Sequence, residues 1–243
     1  MSARTRLKIA HPIEKLAQIA LEIGRQNKAS FVLFDYLSPA EGASAGWPGG
    51  FVPYRFAEPG TRLIIEWPSF ESYLKHLGKS VAKDYRRHRN RAAELGIETR
   101  VHSTITTDLS QALALIRNVE RHHRSAPNFT AQRVLENAHL VDASWLTAQT
   151  GDRLAGCGLM LGDGQAKVLA LLGLDYEVRY AYFQLLYTAI RHAIESGARV
   201  LRGGGGAYET KQRLGFQLEE QNHVVFTTSN PLFRRLGRWL PVS

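Results

Sequence analysis

The second half of this 243-residue chain carries the pattern that most constrains its fold. Three stretches there have the composition of β-strands, and the turns Gly151-Asp152 and Gly162-Asp163-Gly164 separate them. Glycine and aspartate readily adopt the positive φ angles of tight hairpins. The pattern therefore predicts an antiparallel three-strand meander over residues 144–150, 154–161 and 166–174.

The segment after this meander predicts a helix, a short strand and a glycine run. Apolar residues recur at helical spacing between 180 and 197, and a strand is predicted over 199–202. Gly203–Gly206 then follow without interruption. Four consecutive glycines exceed what a simple turn requires, so we expect a backbone that a ligand can approach closely as well as an unusual turn.

The rest of the chain adds helices and strands in alternation, with enough apolar residues for a packed core, 44% of the total. The fold class predicted is mixed α/β. Helices are expected over 13–23, 69–95 and 109–119, strands over 31–37, 62–67, 97–101 and 223–228, and a surface loop over 38–50.

Charge and cysteine content restrict the partners and the compartment. The chain has 31 Lys and Arg against 22 Asp and Glu, a net charge of +9, and more than half of that excess lies between residues 75 and 100. Anionic partners are therefore favoured over cationic ones. The single cysteine, Cys157, excludes an internal disulfide and fits a reducing compartment, with a buried and inert thiol.

Two motifs resemble the GNAT acyltransferase superfamily, and its Fem-type branch in particular. The basic phrase Ser80-Val81-Ala82-Lys83-Asp84-Tyr85-Arg86-Arg87 resembles the helix at the junction of the two GNAT-like halves of Fem-type enzymes. Gly203–Gly206, Tyr208, Lys211 and Gly215-Phe216 resemble the stretch before the last strand. The resemblance covers about residues 60–228.

This resemblance implies a GNAT-like twisted mixed sheet flanked by helices. It divides the chain into a shortened N-terminal GNAT-like half over 1–95, ending in the basic helix, and a C-terminal catalytic half over 96–243. The implied activity is transfer of an acyl group from a thioester, an acyl-CoA or acyl-carrier protein, to a small amine or peptide. Two alternatives stay open: aminoacyl transfer from aminoacyl-tRNA, and a non-catalytic basic binding module that kept the fold.

One segment departs from the ordinary GNAT pattern. Ordinary members hold the coenzyme A pyrophosphate on a glycine-rich turn between the fourth strand and the next helix. Here the corresponding residues, 174–181, include no glycine. Fem-type proteins depart at the same point, so the resemblance in fold is kept while the usual coenzyme is not implied.

Four residues are candidates for the chemistry. Lys211 takes a position where ordinary GNAT enzymes often have a tyrosine, as in the Fem-type pattern, and an ammonium there would stabilise negative charge on a carbonyl or phosphate. Tyr208 would orient substrate or donate a proton, or else pack under the sheet. Glu209 and Asp175 would accept a proton from, or bind, an ammonium substrate, or else are ordinary surface carboxylates.

The candidates for holding the anionic donor are basic residues and glycines, namely Lys83, Arg86, Arg87, Arg179, Gly203, Gly204 and Gly205. A solvated basic face is the alternative for the helix. His122, His123 and Arg124 are read as helix-capping cations, with a catalytic base as the alternative. No metal site is expected.

Location and further contacts are predicted more coarsely. No long apolar segment follows the basic N-terminus, so a cytoplasmic protein without a leader is expected. The stripe of apolar and basic residues over 231–240 predicts a helix that docks on its own domain, with weak contact to an anionic membrane as the alternative.

Overall fold

The structure is a computed structural model that describes residues 12–37, 39–43, 46–48, 50–55, 58–125, 127–219 and 223–228. The chain packs as two compact units, a small unit of Met1–Pro59 with Glu219–Ser243 and a large unit of Gly60–Leu218. The predicted boundary at residue 95 falls inside the large unit. That each part corresponds to a GNAT-like half stays a prediction, and the stripe over 231–240 lies outside the described residues.

The small unit contains a three-stranded antiparallel sheet. Its elements are α1 (Pro12–Gln26), β1 (Phe31–Leu37), α2 (Pro39–Gly42), β2 (Val52–Arg55) and β10 (His223–Thr228). The strand order is β1-β10-β2. Two expectations need correction: the predicted loop includes the short helix α2, and β10 does not complete the large sheet because both its edges pair with strands from the N-terminal region.

The large unit is built on a seven-stranded mixed sheet. Its strands, in chain order, are β3 (Thr61–Ile64), β4 (Ile97–His102), β5 (Asp142–Thr150), β6 (Arg153–Gly162), β7 (Ala166–Leu174), β8 (Val200–Arg202) and β9 (Gln217–Leu218). They lie in the order β4-β5-β6-β7-β8-β3-β9. The predicted meander is confirmed as β5–β7, while β7 and β8 pair in parallel across a helical crossover.

Helices cover both faces of this sheet and form a separate core on each. The helices are α3 (Phe70–Leu77), α4 (Lys79–Glu94), α5 (Leu109–His123), α6 (Ala131–Glu136), α7 (Ala181–Glu195) and α8 (Tyr208–Arg213). Buried residues of α3, α4 and α7 belong to one core, and those of α5 and α6 to the other. Alternating side chains of β5 and β6 contribute to both: Leu146 and Met160 to the first, Trp145 and Leu159 to the second.

The predicted single helix over 69–95 is two helices that meet at Gly78. Gly78 has φ +91° and ψ 173°, and it serves as both the C-cap of α3 and the N-cap of α4. This backbone conformation is open essentially only to glycine. The Ser69 side chain caps the N-terminus of α3 by accepting a hydrogen bond from the Ser72 amide. The α3 helix ends before Gly78, and α4 begins directly after it.

Candidate functional site

The strands β7 and β8 separate after a short stretch of pairing. Their parallel register runs from Ala166 with Val200 to Val168 with Arg202, where β8 ends. Beyond that point β7 continues to Leu174, while Gly203 donates its amide hydrogen to Thr61 O of β3 on the other side. We call the region between Leu169–Leu174 and Gly203–Gly206 the strand gap.

Lys211 holds the glycine side of the strand gap in place. Its ammonium donates to three backbone oxygens, Gly203 O at 2.7 Å, Gly204 O at 3.2 Å and Gly205 O at 2.9 Å. A lysine ammonium has three N–H donors, so these contacts engage all of them. Lys211 is 5% exposed, and burial lowers the pKa of its ammonium to about 8.

The glycines fit this arrangement at specific positions. A Cβ on Gly203 would lie 3.0 Å from Thr61 Oγ1 and 3.1 Å from Phe216, so a side chain there requires its neighbours to shift by a few tenths of an ångström. Gly204 and Gly206 have φ angles of +66° and +73°. Thr61 also donates its hydroxyl to Gly204 O at 2.7 Å, which fixes the loop from the β3 side.

The hydrogen bonds from Lys211 to the glycine carbonyls determine where the amide hydrogens of the following residues point. In a trans peptide the C=O and the following N–H point in opposite directions. Because three carbonyls converge on Lys211, the N–H groups of Gly204, Gly205 and Gly206 point outward from it and diverge. These three amides make no hydrogen bond to another residue within the described part of the chain. They can each donate to a different acceptor along an extended ligand.

A cavity of about 240 Å³ lies on the other side of α8 from Lys211. Glu209, Thr210 and Arg213 of α8 line it together with residues of α4 and α7. The α4 and α7 lining consists of Val81, Asp84, Arg87, His88, Phe183 and Tyr187. Asp84 forms ion pairs with both Arg87 and Arg213, so the charges of this wall largely balance.

The sequence reasoning missed His88 and Tyr187, the two titratable groups deepest in this wall. His88 is 9% exposed, and its Nδ1 lies 3.1 Å from Tyr187 Oη in a hydrogen bond. Burial, reinforced by Arg87, lowers the pKa of His88, and burial raises that of Tyr187 to about 12. Both groups are therefore neutral near pH 7. A signal was present, because His88 lies seven residues after Val81 and so on the same helix face.

The cavity brings together only some of the predicted site residues. Glu209 and Arg87 line it, and Lys211 lies on the same short helix but faces the glycine loop. Tyr208 is the first residue of that helix and is partly buried. Lys83 and Arg86 line a different groove between α3 and α4, which they share with Lys75 and Lys79.

Asp175 and Arg179 lie in the turn between β7 and α7. Asp175 pairs with Arg153 and accepts from the Glu177 amide, and Arg153 also pairs with Glu177. None of these residues lines the cavity at α8. Arg179 is exposed directly before α7, whose first turn receives no side-chain cap. The turn therefore offers one exposed cation beside a helix N-terminus, with two carboxylates neighbouring it.

The structure places the histidines at the end of α5, and the single cysteine, where the sequence predicts them. His122 and His123 form the last turn of α5, and the His122 ring stacks on Tyr176 with 3.8 Å between ring centres. The expected capping position is confirmed. Cys157 is fully buried, as predicted, and burial raises the pKa of its thiol to about 12.

The described ranges contain no cluster of three or more His, Cys, Asp or Glu side chains that could hold a metal ion. No described helix combines the length and apolar character needed to cross a bilayer.

A family model described as an acetyltransferase (GNAT) domain matches residues 79–212. The match begins at the first residue of α4 and ends within α8, so it contains the strand gap and the cavity-wall residues of α4 and α7. No curated protein gives a significant match.

Solved structures resemble the chain in fold at low sequence identity. FemX is 13% identical with a TM-score of 0.57, and the alignment covers 93% of this chain and 79% of FemX. The C-terminal domain of a putative lysylphosphatidylglycerol synthetase from Agrobacterium fabrum is 14% identical with a TM-score of 0.54, covering 93% and 76%. L-PGS from Bacillus licheniformis is 12% identical with a TM-score of 0.53, covering 93% and 77%.

Proposed function

The chain belongs to the GNAT acetyltransferase-domain family, and on that premise we propose that it transfers an acyl group from a thioester donor to the nitrogen of an amine. The donor is an acyl-coenzyme A or an acyl-carrier protein. The acceptor is a small amine or the amine of a peptide. Lys211, His88 and Glu209 are the residues on which this proposal depends.

The strand gap is the observation that carries the proposal. The arm of both donors is extended and has amide carbonyls along it, each of which accepts a hydrogen bond. The outward N–H groups of Gly204, Gly205 and Gly206 suit such an arm, because they diverge instead of meeting at one oxygen. The edge of β7 from Leu169 to Leu174 supports it as well, since β8 has already ended there.

The groups around the cavity suit amide formation without a covalent enzyme intermediate. The amine nitrogen attacks the thioester carbonyl, a C–N bond forms, and the C–S bond breaks to release the thiolate. In the neutral tautomer whose Nδ1–H donates to Tyr187 Oη, the unprotonated Nε2 of His88 accepts the proton from the amine. Exposed Glu209 attracts the acceptor's ammonium form. In this account Lys211 is a positioning residue, because its donors are engaged by the glycines.

The turn before α7 favours a second candidate, aminoacyl transfer from charged tRNA. Asp175 and Glu177 occupy the place where a glycine turn would bind pyrophosphate, and carboxylates there oppose an anion. The groove with Lys75, Lys79, Lys83 and Arg86 would instead contact tRNA phosphates. The proposed attack on the acyl carbonyl is the same, with an ester oxygen as the leaving group.

Incubation with each donor in turn tests these proposals. The protein is mixed with acetyl-coenzyme A, an acyl-carrier protein or charged tRNA, together with a pool of amines, and loss of donor and gain of amide are followed by mass spectrometry. Thioester consumption with amide formation supports the first proposal, and amide formed only from charged tRNA supports the second. No amide from any donor would favour a non-catalytic binding module. His88→Gln protein controls for a contaminating enzyme.

A further inference from the structure

A second cavity lies on the opposite face of the large sheet from the proposed acyl-transfer site. Its volume is about 290 Å³, and its lining comes from the α5 and α6 side of the sheet. Trp145 and Leu159 of this lining belong to the α5 and α6 core, whereas Val81 and Leu214 of the first cavity neighbour the α4 and α7 core. The two cavities share no lining residue.

The second cavity has an apolar interior and a polar, accessible rim. Leu135, Ala138 and Leu159 are buried apolar residues of its wall. Ser103, Thr104, Glu136 and His139 are exposed and lie at its mouth. An aromatic ring fits in an apolar cavity of about 150 Å³. This cavity therefore has room for a ring with a short substituent.

Two buried polar atoms in this lining have no hydrogen-bond partner among the described residues, Trp145 Nε1 and Thr107 Oγ1. Trp145 is 1% exposed, so bulk solvent does not hydrate its indole N–H. Buried donors without a partner are rare in folded proteins because such a group has lost its hydration without replacement. The indole nitrogen can only donate, whereas the threonine hydroxyl can donate or accept.

The wall positions are fixed by the fold. Trp145 of β5 pairs with Leu159 of β6 in the middle of the meander. Thr107 precedes Asp108, whose carboxylate accepts from the Ser110 and Gln111 amides and so fixes the start of α5. Trp145 therefore comes from a strand that is paired on both sides, and Thr107 from the end of the loop that leads into the capped start of α5.

We propose that this cavity binds a small, uncharged, mainly apolar molecule with a carbonyl oxygen, and that the Trp145 indole N–H donates to that oxygen. The Thr107 hydroxyl provides a second hydrogen bond to the same end of the ligand. The ligand is uncharged because the buried lining contains no ionisable group to compensate a charge, and burying an isolated charge is costly. This inference does not depend on the proposed acyl transfer.

Acetanilide and isobutylbenzene form the probe pair that tests it. The two molecules have the same number of heavy atoms and similar shapes, but only acetanilide has a carbonyl oxygen. Each is titrated into the full-length protein labelled with ¹⁵N, and the four tryptophan indole N–H signals are followed by NMR. The Trp145 signal is assigned by its loss in Trp145→Phe.

Acetanilide is expected to bind saturably at millimolar concentration or below and to shift the Trp145 indole proton downfield. Isobutylbenzene is the more hydrophobic probe, so the effect of the indole donor is measured by the ratio of acetanilide affinity to isobutylbenzene affinity in each protein. Trp145→Phe should lower that ratio about tenfold, and Thr107→Val should lower it less. Ala143→Leu, which adds volume to the lining and keeps the tryptophan, should abolish binding of both probes.

Absence of saturable acetanilide binding would overturn the proposal and leave the indole N–H to a bound water. A ratio of the two affinities that is the same in Trp145→Phe as in the wild-type protein would overturn the role of the indole donor. Unchanged acetanilide binding in Ala143→Leu would place the ligand elsewhere. If Trp145→Phe does not fold, Thr107→Val and Ala143→Leu still decide between these results.

Discussion

Lys211 is the residue whose chemistry changes most between expectation and structure. Its position on α8 suggested an ammonium offered to a substrate carbonyl or phosphate. In the fold its three donors are engaged by Gly203 O, Gly204 O and Gly205 O, and the side chain is almost fully buried. Its effect on a donor would then be indirect, through the backbone of the glycine loop that it holds in place.

Replacing Lys211 by methionine separates this positioning role from a passive one. Lys211→Met keeps similar length but leaves three carbonyls without their donor. We expect the free energy of unfolding to fall by about 1–3 kcal/mol. We expect turnover to fall about 100-fold, the magnitude typical of losing a preorganised donor. Urea denaturation and an amide-formation assay measure the two effects.

Gln212→Met is the matched control, because Gln212 is the exposed neighbour of Lys211 on the same helix. It should leave both quantities within error. If Lys211→Met also retains full turnover and stability, the lysine does not hold a loop that matters for the reaction.

The pH dependence of Lys211 gives a second prediction with opposite signs for stability and activity. Burial lowers its pKa to about 8, whereas an unfolded-chain lysine titrates near pH 10.5. Between these values the unfolded state binds more protons, so this group makes the free energy of unfolding rise with pH. Turnover should fall across the same interval, because a neutral amine has one donor fewer for the glycine carbonyls.

Turnover and denaturant unfolding measured from pH 7 to 10 check this, with Lys211→Met as the reference. The difference in unfolding free energy between wild type and Lys211→Met should grow in favour of wild type above about pH 8. A difference that stays constant with pH would mean that Lys211 titrates alike in both states.

At the scale of elements, the meeting of α3 and α4 at Gly78 depends on one backbone conformation. No atom lies within 4 Å of a Cβ built on Gly78, so substitution there adds no clash and affects the backbone alone. With φ +91° and ψ 173°, alanine would be strained by about 1–3 kcal/mol. Gly78→Ala should therefore lower the free energy of unfolding by that amount in a urea titration.

Gly96→Ala is the reference for this substitution. Gly96 also has free space around it but a milder φ of +64°, in the left-handed region that other residues adopt more easily. Its loss should be smaller than that of Gly78→Ala. Equal losses of unfolding free energy in Gly78→Ala and Gly96→Ala would show that the conformation at Gly78 is no more restrictive than the one at Gly96.

Two neighbouring arginines of the basic helix α4, Arg86 and Arg87, have different surroundings. Arg86 lies in the groove with Lys75, Lys79 and Lys83, whereas the Arg87 guanidinium pairs with Asp84 at 3.0 Å. Arg86→Gln should therefore weaken a phosphate-rich donor more than Arg87→Gln does. It should also reduce the slope of log affinity against log salt by about 1.

Donor affinity measured from about 50 to 200 mM salt tests this difference, with each variant serving as the control for the other. An unchanged affinity and slope in Arg86→Gln would show that the groove is an ordinary solvated surface that does not bind the donor. A larger effect from Arg87→Gln would instead place donor phosphates at the cavity beside α8.

At the scale of the whole molecule, local patterns predicted elements well and long-range pairing poorly. The meander followed from Gly151-Asp152 and the Gly162–Gly164 turn, which are local hairpin signals. β3 and β10 pair with strands that lie more than a hundred residues away in the sequence. The residues of β3 and β10 do not indicate which strands these are. The break at Gly78 had a signal, an isolated glycine within a helical pattern.

In the candidate site, too, local features followed from the sequence and long-range contacts did not. Glu209, Lys211 and the glycine run lie where the sequence placed them, on one short segment before the last strands. His88 and Tyr187 come from helices separated in the chain by four strands, and they meet only in the fold. Asp175 was expected near the same cleft as Glu209, but it lies in the turn after β7, where it pairs with Arg153. Residue type predicted the candidates, and tertiary packing decided which of them meet.

The central claim is that the glycine loop binds the amide arm of a thioester donor. Solvent exchange of the Gly204, Gly205 and Gly206 amide hydrogens, measured by NMR, tests it most directly. The titrant is an unreactive acetyl-pantetheine analogue in which a methylene replaces the sulfur. The account predicts slower exchange and shifted signals at these three amides on saturation, and a weaker response in Lys211→Met. Binding of the analogue that leaves all three amides unchanged would contradict it.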